Sequence, residues 1–309
     1  MNVLFVHTEE DHFSPEKPLH GFERMQFGIS YISAVLKRNG HRTRLVVPTR
    51  DTPHSLQQSI EEFNPGLVCF TSVYSEFSFI SQLADRARKA RPDIFFLIGG
   101  PHASLNPGEC LVGAFDAVCV GEGEYPTLEL AYQLEAGKRP SKIMNLLIKR
   151  DGEVERNPTR SYIKDLDSLP FPDREMWKPW LHDPWSRPSV LVGRGCPFKC
   201  TYCCNHALGR LADGAYVRFR SPRSVVDELL CLRESHPDLG EVYLEAETLG
   251  VNLGWAAELC RSLERMNAQL PRPISFGSNL RVTPGADYED LFDLFARANF
   301  RFINIGIET

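Results

Sequence analysis

Asp93-Ile94-Phe95-Phe96-Leu97-Ile98-Gly99-Gly100-Pro101-His102 runs five consecutive apolar residues into two glycines and a proline. A strand that is apolar on both faces belongs inside a parallel sheet, because crossover helices cover both of its sides. Working outward, similar runs predict strands over residues 2–6, 43–47, 66–71 and 117–120. Between them Phe27, Ile29, Ile32, Val35 and Leu36 recur at helical spacing, and Gly40 follows where a helix stops. Leu56, Ile60 and Phe63 repeat that pattern, as do Phe77, Ile80, Leu83 and Ala87. Residues 1–140 therefore read as an α/β unit, a Rossmann-like doubly wound parallel sheet with helices on both faces. Ligands of such sheets sit beyond the carboxyl ends of the strands. Those ends carry Thr71-Ser72, Gly99-Gly100-Pro101-His102 and Gly121-Glu122-Gly123-Glu124.

Residues 141–187 change character. Prolines 158, 170, 172, 179 and 184 and tryptophans 177, 180 and 185 interrupt any period, which reads as a packed connecting segment. From Pro188 the alternation resumes over residues 188–309. Strands are expected at 189–193, 241–245, 274–278 and 302–306, with helices near 224–234, 255–264 and 287–298. Trp255, Leu259 and Leu263 fall on one face at four-residue steps, as a helix covering a sheet requires. Four strands and three helices make a partial (β/α) barrel. The chain stops at Thr309 directly after the fourth strand, so the expectation is a fragment of a longer protein.

Composition excludes several classes. Net charge is −5 with no basic block, so no nucleic-acid partner is expected. The longest apolar stretches fall far short of a membrane span. Asn2 to Val6 opens as a strand without a charged leader, which does not read as a signal peptide. Nine cysteines in a chain of this kind suggest a reducing compartment, where clustered thiols more often bind metal than pair. The expected location is cytoplasmic.

The strongest chemical signal is Gly195-Cys196-Pro197-Phe198-Lys199-Cys200-Thr201-Tyr202-Cys203, just after the first strand of the second unit. Three thiols in such a loop can converge on one metal centre. Structural zinc usually takes four protein ligands in paired knuckles, and Cys204 is adjacent to Cys203, where successive side chains rarely meet one ion. Iron–sulfur clusters favour closely spaced thiolates, and three ligands to a four-iron cube leave one iron open. Cys204 reads as a packed thiol. Cys69, Cys110, Cys119, Cys231 and Cys260 fall on apolar strands or helix faces and read as packing residues.

The C-x-x-x-C-x-x-C spacing with an aromatic before the last cysteine resembles the signature of the radical S-adenosylmethionine (SAM) superfamily. That resemblance implies that Cys196, Cys200 and Cys203 hold a [4Fe–4S] cluster whose open iron chelates SAM, and that electron transfer to the sulfonium yields a 5′-deoxyadenosyl radical. It places Tyr202 against the adenine. Val242-Tyr243-Leu244-Glu245-Ala246-Glu247 resembles the acidic motif after the second strand, with Glu247 toward the SAM amino group. Asn279-Leu280-Arg281 resembles the SAM-contacting position after the third strand, and Gly306-Ile307-Glu308-Thr309 the G-x-E-[ST] motif after the fourth. These matches imply SAM contacts from Arg281 and Glu308. A bland alternative is a surface ion pair among Glu245, Glu247 and Arg281.

Ahead of such a core, residues 1–140 resemble the cobalamin-binding domain of the cobalamin-dependent radical SAM class. The matching segments are Phe27-Gly28-Ile29, Gly40-His41 and the three strand ends above. The implied cobalamin contacts are Thr71, Ser72, Gly99, Gly100, His102, Gly121 and Glu122, where small residues let the backbone approach a large macrocycle. The D-x-H-x-x-G motif that supplies a lower axial histidine elsewhere is absent, since Asp11 and His12 are adjacent. His102 reads as a loop residue, and the glycines could also be tight turns.

The implied activity is methylation of an unactivated carbon in a small-molecule substrate, with electrons from a flavodoxin or ferredoxin. Alternatives are an oxidative cyclisation or rearrangement using the same cofactors, and a truncated, non-catalytic cobalamin-binding fragment. A methylthiotransferase is disfavoured, because it needs three cluster cysteines in the first domain.

Overall fold

A computed structural model describes residues 1–9, 14–21, 24–183, 185, 187–282 and 287–306. The first sheet has seven strands in the order β2-β1-β3-β4-β5-β6-β7. Strands β1 (Asn2–Val6), β2 (Arg42–Val46), β3 (Leu67–Thr71), β4 (Phe95–Gly99) and β5 (Ala117–Cys119) are mutually parallel. The expected helices follow as α1 (Phe27–Arg38), α2 (Ser55–Phe63) and α3 (Phe77–Ala90), with α6 (Glu124–Glu135) after β5. The pleat sorts the strand residues between two cores. Leu4, Val6, Phe96 and Ile98 pack with α2 and α3, while Val3, Phe5 and Leu97 pack on the face that holds Ile29, Leu36 and Leu130. Helices therefore cover both faces, as the apolar runs predicted.

Two short helices, α4 (Pro101–Leu105) and α5 (Pro107–Cys110), fill the β4–β5 connection. Each starts on a proline, which suits the first helical position. His102 is thus buried within a helix rather than lying in a loop.

The connecting segment differs from its sequence reading. Residues 146–156 form an antiparallel hairpin, β6 (Leu146–Arg150) and β7 (Glu153–Arg156), that extends the first sheet past β5. Asp151 and Gly152 both have positive φ and close its two-residue turn. The remainder packs across α1. Trp177 is fully buried and donates from Nε1 to Ser30 Oγ at 2.8 Å. Asp173 accepts from Ser33 Oγ at 2.6 Å and pairs with Lys37 at 2.7 Å.

The second sheet, in the order β13-β12-β11-β8, is wholly parallel. It comprises β8 (Ser189–Leu191), β11 (Glu241–Glu245), β12 (Ser275–Arg281) and β13 (Phe300–Gly306). Helices α8 (Pro222–Ser235), α9 (Leu253–Asn267) and α10 (Glu289–Arg297) supply one core with it, including Leu229, Leu259, Leu263 and Phe295. The expected strand at 189–193 ends early. Gly193 and Arg194 leave it to form β9, which pairs antiparallel with β10 (Arg218–Phe219). A short helix, α7 (Asn205–Leu208), follows the cysteine loop.

Two cysteine readings are corrected. Cys204 and Cys231 are exposed, whereas Cys69, Cys110, Cys119 and Cys260 are buried. Cys231 lies in α8 between the residues that face the sheet, and Cys204 caps the start of α7, so neither reaches a core.

Candidate functional site

A cavity of about 450 Å³ opens where the carboxyl ends of the first sheet meet the segment carrying the cysteines. Thr71, Gly99, Gly100, Gly121 and Glu122 all line it, and Phe5, Cys69, Phe70 and Leu97 give it an apolar floor. The opposite wall comes from Gly193, Arg194, Gly195, Tyr216, Arg218 and Glu247. Glycine is required at one strand end. Gly100 has φ +96°, and a Cβ there would lie 2.8 Å from both the Ser72 carbonyl oxygen and Thr71 Oγ1.

The other residues expected on this side stand behind the wall. Ser72 N donates to Gly99 O at 3.0 Å, and His102 N donates to Ser72 O at 3.1 Å. His102 packs its ring 4.6 Å from Phe77, with Nε2 3.5 Å from Glu109 Oε2. Neither Ser72 nor His102 is among the residues lining the cavity. Asp11 and His12 lie outside the described residues.

The three motif cysteines are half-buried on the loop that follows β9. Burial pushes the Cys196 thiol above its ordinary range; Glu247, Cys200 and Cys203 act in the same direction, while a backbone hydrogen bond involving Phe198 opposes them. Glu247 and the other two sulfurs thus lie close enough to Cys196 to act on it. Among the described residues no three His, Cys, Asp or Glu side chains gather tightly enough for a single ion. A four-iron cube makes no such demand, because each thiolate takes a different corner.

Arg281 places Nη1 2.8 Å from Cys200 Sγ and its guanidinium 4.1 Å from the Phe198 ring centre. It therefore sits over the cysteine loop. Glu245 is pushed above the usual carboxylate range by burial, and then by Glu247. Tyr202 is 66% exposed, on the solvent side of the loop. Glu308 lies outside the described residues.

Sequence reasoning named Glu122 only as a cobalamin contact and missed the arginines that join the two walls. Arg194 donates from Nη1 to Glu122 Oε1 at 2.8 Å and from Nη2 to Glu124 Oε1 at 2.6 Å. Arg218 reaches both oxygens of Glu122, at 3.0 and 3.1 Å, and donates to Ile163 O at 2.8 Å. Ile163 N donates to Glu122 Oε2 at 2.7 Å, so protein groups engage both oxygens of that carboxylate. Arg194 immediately precedes the Gly195-Cys196 motif and was the available signal; Arg218 had none.

Comparison with known proteins agrees with this two-part geometry. Residues 21–131 match the B12 binding domain model, and residues 190–309 match the radical SAM superfamily model. The chain is 27% identical to the anaerobic magnesium-protoporphyrin IX monomethyl ester cyclase of Rubrivivax gelatinosus, across 100% of this chain and 55% of that protein. It is 28% identical to an uncharacterised methyltransferase of Pyrococcus horikoshii, across 75% of this chain and 50% of that protein. It superposes on the radical SAM methyltransferase TsrM of Kitasatospora setae with a TM-score of 0.74 and 19% identity, over 99% of this chain and 59% of TsrM. At that identity the likeness speaks for the fold. The chain spans about half the length of the curated relatives it matches.

Proposed function

We propose that this chain, a radical SAM superfamily protein with a B12-binding domain ahead of its radical SAM core, is the cofactor-binding part of a cobalamin-dependent enzyme that methylates an unactivated carbon of a small molecule. One observation carries the reading: a single cavity has the strand ends of the first sheet on one side and Gly195 and Glu247, beside the cysteine loop, on the other. Radical chemistry at a substrate carbon and methyl delivery must occur within reach of one another, and a shared cavity permits that.

The residues fit both groups. A Cβ-free backbone at Gly99, Gly100 and Gly121 over an apolar floor suits a broad macrocycle, and three half-buried thiols on one short loop suit an iron–sulfur cube. When bound, cobalamin supplies a transferable methyl group, and the cluster with SAM supplies a carbon radical. Cys196, Cys200 and Cys203 would hold the cluster. Glu247 and Arg281 would orient SAM, and Tyr202 would flank its adenine. Thr71, Gly99, Gly100 and Gly121 would meet the cobalamin, with Ser72 and His102 bracing that edge. Glu122 is assigned to the wall itself.

The proposed division follows the sequence reading, with the 146–156 hairpin added to the first unit. The reading requires a one-electron donor such as a flavodoxin or ferredoxin and a cytoplasmic setting. Among the described residues no helix is long and apolar enough to cross a membrane.

Two measurements test this. Anaerobically reconstituted, reduced protein is expected to convert SAM to 5′-deoxyadenosine, and the complete enzyme with substrate should also release S-adenosylhomocysteine. Deoxyadenosine without homocysteine product would move the assignment to the cyclisation named in the Rubrivivax relative. No turnover of SAM at all sinks it. Separately, Gly100→Val is expected to weaken hydroxocobalamin binding at least about tenfold in an absorbance titration, a loss of about 1.4 kcal/mol. Wild-type affinity in that variant would remove this strand end from the site.

A further inference from the structure

We infer that Glu122 and Glu124, clamped by Arg194 and Arg218, form a positioning latch that sets the separation between the cobalamin wall and the cluster loop. The inference rests on the proposed function and adds to it residues that act on geometry rather than on either cofactor.

The argument begins with connectivity. Glu122 and Glu124 bracket Gly123, between the end of β5 and the first turn of α6, and both line the cavity. Arg194 closes β9, and only Gly195 separates it from Cys196. Its planar guanidinium uses two nitrogens on two carboxylates of one short segment, at 2.8 and 2.6 Å. A fork held at both tines fixes orientation as well as distance, which one ammonium contact would not do. Arg218 pairs with Arg194 across the β9–β10 ladder and grips Glu122 as well. The cavity wall and the first cysteine are thus joined through two ion pairs and two covalent steps.

Energetics argue against a merely adhesive role. Glu124 is only 2% exposed, and the side chains of Arg194 and Arg218 are 16% and 6% exposed. Desolvating charges offsets much of the attraction between them, so apolar residues of similar volume would hold two units together at least as well. What a forked pair adds is one defined arrangement. Here that arrangement sets the cavity against the cysteine loop, where an error of about 1 Å can cost about 100-fold in rate.

The test uses the reconstituted chain carrying reduced cluster and cob(II)alamin, both paramagnetic. In the wild type the cluster is expected to speed the spin relaxation of cob(II)alamin, measured by pulsed electron paramagnetic resonance. Glu124→Gln and Arg194→Lys are each expected to diminish or spread that enhancement, while iron and cobalamin content stay within about twofold of wild type. Arg194→Lys keeps the charge and serves if the glutamine variant does not fold. Asp173→Asn, which loosens a different anchor between α1 and the connecting segment, is expected to leave the enhancement intact. Wild-type relaxation in both latch variants, or an equal change in Asp173→Asn, overturns the latch. A wild-type protein that takes up neither cluster nor cobalamin instead overturns the proposed function, and the latch with it.

Discussion

Replacing Cys200 with alanine is expected to abolish both the iron–sulfur absorbance of the anaerobically reconstituted protein and its cleavage of SAM. The argument is one of ligand number. A cube held at three corners presents its fourth iron to SAM; with two thiolates left, the cluster has too few protein ligands to persist. The stability of the cluster-free chain should barely change. Cys200 is only half-buried on a loop, and changes at such places usually stay within about 0.5 kcal/mol. Loss of chemistry with an unchanged melting temperature separates a ligand from a packing residue. Cys204→Ala provides the contrast, since its exposed thiol is expected to be dispensable. Cys200→Ala protein that still loads iron fully and cleaves SAM would refute the three-cysteine assignment.

Gly195→Ala is expected to be nearly as damaging, through the backbone. Gly195 has φ +85°, where a side chain is strained, and its Cβ would collide with the Tyr216 carbonyl oxygen. Strain of this kind costs about 1–3 kcal/mol before the collision is counted. The Tyr216 backbone lies two residues before Arg218, whose guanidinium engages Glu122, so a shift there is expected to disturb that contact. The variant should melt markedly below wild type and load iron poorly. Gly137→Ala isolates the first contribution, because φ is +65° there but the space is open. A Gly195→Ala protein no less stable than Gly137→Ala would show that the loop tolerates the added atom.

Much of this was legible in the sequence because it is local. Five apolar residues in a row, followed by Gly99-Gly100, carry their own burial requirement, and the strand forms there at Phe95–Gly99. The spacing of Cys196, Cys200 and Cys203 likewise carries its chemistry within eight residues. The 146–156 hairpin was hidden by the prolines that follow it, although Asp151-Gly152 was a turn signal in plain view. The joining wall was less accessible. Glu122 and Arg218 are 96 residues apart and meet only through two separate sheets, so no window of sequence contains the contact. His102 was misplaced because Gly100-Pro101 reads equally as a turn or as the entry to a short helix. Cys204 reads as packed from its adjacency to Cys203, and Cys231 from its apolar helical surroundings, neither of which says on which side of an element a thiol falls.

The openness of the cysteine loop bears on handling. Cys196, Cys200 and Cys203 are partly accessible and Cys204 is exposed. Neighbouring accessible thiols are the ones that air converts to sulfenic acids and mixed disulfides. Sulfur trapped in those forms no longer accepts iron, so material purified in air would report an inert protein until a reductant restored it. A blank assay is informative only after free thiols have been counted.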